Sequence, residues 1–182
     1  MLECAAEEDV QNRFYNGWTC DHYIGPVLMF CPDNTIPICC YNVPGTVHDS
    51  NIALMGDIYK KLEAVYNLME AKGTVDSAFA CNTYPFLIKS CKPTLDMTIE
   101  GMEIAKDATS MRQSSEWSIR AFQSSFPRIK NHIALEYKGQ QKLMMKLMIL
   151  LYNLCMRKVG NNQILNVYMS SLTEDINALY IN

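Results

Sequence analysis

Two apolar runs, residues 23–30 (YIGPVLMF) and 36–41 (IPICCY), are separated by Pro32-Asp33-Asn34-Thr35. No other feature limits the fold of this chain as strongly. Branched and aromatic residues favour strands, and a Pro-Asp-Asn-Thr cluster between them is turn chemistry, so the pattern predicts a β-hairpin. Pro26 has no backbone N–H to give to a ladder and should sit at an edge or a bulge. After Asn42-Val43-Pro44-Gly45 the period changes. Ile52, Leu54, Met55, Ile58, Tyr59, Leu62, Val65 and Tyr66 recur at helical spacing behind Asp49-Ser50, a candidate cap, and predict one helix to about residue 66. Residues 73–79 (GTVDSAF) read as a buried strand whose end delivers Asp76, and 86–89 (FLIK) as another strand. Residues 93–109 have a mixed helical tendency. Residues 112–126 form a helix candidate that stops before Pro127. Residues 140–158 read as a strong, mostly apolar helix ended by Gly160, buried except for a stripe of Lys138, Lys142 and Lys146. A short helix and a tail close the chain. Hairpin, helix, strand, then helices make an α/β class.

At 182 residues, 49% hydrophobic and 19% charged, the chain has the composition of one globular domain. No apolar run approaches the roughly 18 residues of a membrane span. The first ten residues have neither a basic nor an apolar signal region, so no signal peptide is expected, and the eight cysteines are expected to be reduced thiols. Charge is unevenly spread: residues 1–110 carry −8, 111–158 carry +7 and 159–182 carry −2. A basic segment in an acidic chain is either a solvated helix face or a surface for a polyanion. Cys20, His22, Cys31, Cys39 and Cys40 lack a CxxC pair and read as small buried hydrophobes rather than zinc ligands. Met144, Met145 and Met148 read as core packing, and Trp18 and Trp117 as core anchors.

Three acids stand out. Asp76 ends an apolar strand, where a carboxylate is costly unless paired or bound to a metal. Asp49 follows a strand through the loop VPGTVHD. Glu116 is four residues from both Arg112 and Arg120. The plain structural reading makes Asp49 an N-cap, Asp76 a turn residue and Glu116 a salt-bridged helix residue.

The strings around them suggest more. FYNGWTCDHYIGPVLMFCPDNTI (14–36), NVPGTVHDS (42–50), VDSAF (75–79) with FLIKS (86–90), RQSSEWSIRAFQSSFPRIK (112–130) and NQILNVY (162–168) occur in this order. In these strings the chain resembles the DDE-superfamily transposase/endonuclease domain of the PIF/Harbinger type. The resemblance implies a ribonuclease-H-like mixed sheet with flanking helices. It divides the chain into a linker remnant (1–13), a partial nuclease core (14–170) and a tail (171–182). It implies two divalent ions, Mg²⁺ or Mn²⁺, held by three carboxylates for phosphodiester cleavage in DNA. Asp76 matches the second acid and Glu116 the third. Asp49 and His48 are motif residues near the site, and Asp49 is the candidate for the remaining catalytic and metal-binding acid. The first acid of the family lies in an Asp-Gly string on a central strand before the YNGW string. Asp9 and Asp21 are the nearest acids here; neither precedes Gly or lies in an apolar run. The expectation is therefore a core incomplete at its N-terminal side and inactive as this chain. Arg112, Arg120, Arg128, Lys130 and Lys142 would track phosphates, and sequence-specific DNA reading would fall to a separate DNA-binding partner protein. Nuclear location follows from a DNA substrate, and no membrane association is expected. The alternative is a domesticated, non-catalytic module that binds DNA or protein.

Overall fold

The computed structural model describes residues 2–3, 12, 14–17, 21–22, 24–79, 83–92, 94, 96–130, 133–134 and 138–159. Its elements are β1 (Leu2–Glu3), β2 (Tyr15–Asn16), β3 (Asp21–His22), β4 (Ile24–Met29), β5 (Ile38–Pro44), α1 (Asp49–Met55), α2 (Ile58–Met69), β6 (Gly73–Val75), β7 (Leu87–Lys89), α3 (Ile99–Ser125), a 3-10 turn (Pro127–Lys130), β8 (Ile133–Ala134) and α4 (Lys138–Val159). The class is α/β, as expected. Gly160, Trp18 and Cys20 lie outside the described residues, as does the whole of 160–182.

The predicted hairpin is present as β4 paired antiparallel with β5. Its register shifts between Gly25 and Val27, so Pro26 sits at an irregularity where no ladder bond is asked of it. The connecting loop is closed by its own side chains. Asp33 accepts hydrogen bonds from the Thr35 N–H at 3.0 Å and from its hydroxyl at 2.6 Å. Asn34 takes the left-handed conformation, φ 63°, which Asn tolerates better than most residues.

Successive strand residues point to opposite faces, and here both faces are used. Val27, Met29, Ile38 and Cys40 pack on the cluster of Ala53, Ile58, Tyr59 and Leu62 from α1 and α2. Leu28, Phe30, Cys39 and Tyr41 pack on Phe122 of α3 and on Met148, Ile149 and Tyr152 of α4. Met144 and Met145 join that second cluster as core packing. The hairpin is thus the middle layer between two helical layers. One polar clamp ties α4 to it. The Ile36 N–H donates to Asn153 Oδ1 at 2.7 Å, and Asn153 Nδ2 donates to the Ile36 carbonyl at 3.0 Å.

Two helix predictions change. The helix expected from residue 49 to 66 is two helices, broken at Gly56-Asp57. The cause is tertiary: a Cβ on Gly56 would stand 2.5 Å from Cys40 Cβ, so the backbone rests on β5. Asp57 then turns through the left-handed region, φ 52°. The two segments expected at 93–109 and 112–126 are instead the single 27-residue helix α3. Its start is fixed by Thr98, whose hydroxyl accepts from the Gly101 N–H at 3.2 Å.

The single mixed sheet is not found among the described residues. The strands form four two-stranded sheets, β1–β8, β2–β3, β4–β5 and β6–β7. The parallel pair β6–β7 aligns Gly73 with Leu87 and Val75 with Lys89. It shares the α1–α2 cluster with the hairpin through Val75, Phe86 and Leu87, so side chains rather than a ladder connect the two. Leu2–Glu3, inside the stretch read as linker, pairs in parallel with Ile133–Ala134.

Candidate functional site

The VPGTVHDS string builds the start of α1. A tight turn closes with the Val47 N–H on the Pro44 carbonyl at 3.0 Å. His48, not Asp49, is the N-cap. Its ring nitrogen Nδ1 accepts from the Ser50 N–H at 3.4 Å and lies 2.9 Å from the Ser50 hydroxyl. Asp49 is exposed in the first helical turn, where a carboxylate favours the helix dipole. The cap reading of Asp49 is corrected because the chain enters the helix one residue earlier.

Asp76 follows β6 immediately and is exposed. Its Oδ1 accepts from the Ser77 N–H and its carbonyl from the Phe79 N–H at 3.2 Å, so it opens a turn. The strand is half-buried and stops at Val75, three residues long. Asp76 is therefore not the buried acid expected from the sequence: the turn carries the carboxylate into solvent, where it needs no partner.

Glu116 stands on α3 with its side chain 47% exposed and accepts from Arg112 Nη2 at 2.7 Å. Of the two arginines in reach by spacing, Arg112 takes the ion pair. Arg120 and Lys142 are exposed. Arg128 and Lys130 fall in the 3-10 turn, and their side chains lie outside what is described.

Helix α3 packs against β6 and β7. The Thr109 hydroxyl donates to the Ala105 carbonyl at 2.8 Å and lies 3.4 Å from that of Cys91, just beyond β7. Because β6 and β7 are parallel and in register, this is the strand end that carries Asp76. Glu116 follows Thr109 by seven residues, roughly two helical turns, on the same face of α3. The strand end that carries Asp76 thus meets α3 at Thr109, and Glu116 lies about 10 Å further along the helix. Yet among the described residues no three His, Cys, Asp or Glu side chains gather closely enough to hold a metal ion. The donors are the hard carboxylates that a divalent ion prefers, but this arrangement does not fit a metal centre.

Trp117 was expected in the core and is 43% exposed. The buried residues of α3 are Ala105 and Ala108 near its start and, on a different side further along, Ser114, Ser118 and Phe122. Small residues let the helix lie close, and the indole next to Glu116 is left at the edge. Cys31, Cys39 and Cys40 are half-buried free thiols. Burial pushes all three up; Asp33 adds to the effect at Cys31, and Lys61 opposes it at Cys39 and Cys40. The side chain of His22 is not described.

The family model for a DDE superfamily endonuclease matches residues 2–153. The chain belongs to the DDE superfamily endonucleases. The match spans the hairpin, the strand pair and both long helices up to Asn153 of the clamp. Among curated proteins and among solved structures nothing matches. The nucleases of this superfamily generally use divalent metal ions, and the endonuclease family implies a DNA substrate. Transposase or nuclease function is what this membership suggests. No helix among the described residues is long and apolar enough to cross a membrane.

Proposed function

We propose that this chain is the core of a DDE nuclease/transposase of the PIF/Harbinger type, with a ribonuclease-H-like plan, in which Asp76 and Glu116 are the acids that act on a DNA phosphodiester. One observation carries the reading. Within the 2–153 family match, the helix of Glu116 packs against the strand that ends in Asp76. Asp49, exposed at the start of α1, is the third candidate acid. Mg²⁺ or Mn²⁺ belongs to the assembled site, which the described residues do not form in the present arrangement. The chain by itself is inactive in this reading, because among the described residues its acids do not gather and Glu116 is tied to Arg112.

Arg112, Arg120, Arg128, Lys130 and Lys142 track phosphates, so binding is sequence-independent and falls steeply with salt. Trp117 adds an exposed ring on which an unpaired base can stack. A separate protein supplies specific DNA reading, and a DNA substrate places the protein in the nucleus. The Arg112–Glu116 ion pair supports a second reading, a domesticated non-catalytic module that binds DNA or a partner protein.

Plasmid nicking with Mg²⁺ or Mn²⁺ tests the first reading, with this chain run beside a form extended upstream through an Asp-Gly strand where the locus encodes one. Nicking in the extended form that is lost in Asp76→Asn and Glu116→Gln supports the nuclease. Binding that tolerates both changes but is lost in Arg120→Ala plus Arg128→Ala supports the module. Four silent changes in both assays sink both readings.

A further inference from the structure

Helix α4 is apolar on two opposite faces, and among the described residues only one of them is packed. Met148, Ile149 and Tyr152 point into the core against Phe122. On the other side Leu143, Leu147, Leu150, Leu151 and Leu154 are 46–67% exposed. The expectation of a buried helix with one lysine stripe is therefore corrected. Positions 143, 147, 150 and 154 alternate steps of four and three, the spacing of a coiled-coil seam. At 1.5 Å per residue the seam is about 16 Å long. Leucines in water forgo the burial that drives folding and association, so a contiguous row marks a contact surface rather than a solvated face.

The border of the seam says what fits it. Counting 100° per residue, Lys142, Lys146 and Arg157 flank one side of the leucine row, and Lys158 lies at its far end. No acid occurs between residues 138 and 159. A second copy, parallel or antiparallel, would bring only cations to this border. We infer that the outer face of α4 is a docking surface for an amphipathic helix of another protein that carries a leucine-type seam bordered by Asp or Glu. Apolar contacts hold such a helix, and the lysines choose it over a basic one. Lys142 then borders a protein contact in place of the phosphate track proposed for it above. This surface does not depend on the nuclease reading.

The test uses the full chain and two labelled 21-residue helical peptides with identical leucine heptads, one flanked by Glu and one by Lys. Fluorescence anisotropy should show the Glu peptide binding about tenfold more tightly at low salt, with the preference shrinking in 0.5 M NaCl. Leu147→Asp plus Leu150→Asp should abolish binding; both side chains are exposed, so an unchanged melting curve is expected and serves as the folding control. Lys142→Glu plus Lys146→Glu should leave the fold intact and reverse the preference toward the Lys peptide. Equal binding of both peptides, no binding, or binding indifferent to the leucine changes overturns the inference. So does a self-association, or an attachment to phosphatidylserine vesicles, that the leucine changes abolish while neither peptide binds.

Discussion

The hairpin β4–β5 and the strand pair β6–β7 are both two-stranded, yet they serve opposite ends. Every residue from Val27 to Phe30 enters a core, alternately above and below. The parallel pair is three residues long in each strand, and just past it Asp76 stands in solvent. Helix α3 spans the two regimes: Phe122 near its end is buried, while Glu116 and Trp117 are exposed. Stability is thus concentrated around the hairpin, and the groups with chemistry stand where little depends on them. Acids at an exposed edge can be substituted, or rearranged on binding, at small cost to the fold.

Substitution at the hairpin side should give the largest effects. Tyr152 is 1% exposed and meets Phe122 edge-on at 5.2 Å. Tyr152→Ala should lower folding stability by about 3–5 kcal/mol in denaturant titration, whereas Asp76→Asn should stay within about 0.5 kcal/mol. Comparable losses at the two positions would erase the distinction. The clamp comes next. Asn153→Ala leaves the buried Ile36 N–H and carbonyl without partners and should cost about 1–3 kcal/mol.

A pH titration of stability sharpens the comparison further. Cys31, Cys39 and Cys40 have values raised above their ordinary 9.0, chiefly by burial, so the folded state holds their protons more tightly than the unfolded chain. Their contribution is complete below about pH 9 and is lost as pH rises through the folded values. The midpoint of denaturation should fall in alkali, and less so when Cys39 and Cys40 are replaced by Ala and Val. The smallest effect belongs to the exposed end: Arg112→Ala removes an exposed ion pair and should change stability by less than about 0.5 kcal/mol.

What could be read from the sequence was what local chemistry decides. The hairpin was legible because its two runs and the Asp33–Thr35 turn lie within twenty residues and need no distant partner. Residues 49–69 keep one helical period, so nothing local marks the break at Gly56. The break comes from Cys40, sixteen positions earlier in the chain and against it in space. Residues 99–111 are weakly patterned, so the sequence does not show α3 as one helix, although Thr98 is a cap residue that marks its start. Trp117 is not legible as exposed because a large ring is ordinarily buried, whereas here small residues, with Phe122, take the buried positions of α3. The acids were legible as types at motif positions. Their separation was not, since spacing along a chain carries no distance between a strand end and a helix.

Cys39 and Cys40 are adjacent in β5 and face opposite helical layers. Neighbours in sequence are therefore independent reporters. Both thiols are half-buried, so lifting the α1–α2 layer speeds labelling of Cys40, and lifting the α3–α4 layer speeds that of Cys39. Labelling rates for two chains that differ in which of the pair is retained would time the opening of each layer separately, and would show whether this domain comes apart all at once or sheds one layer at a time.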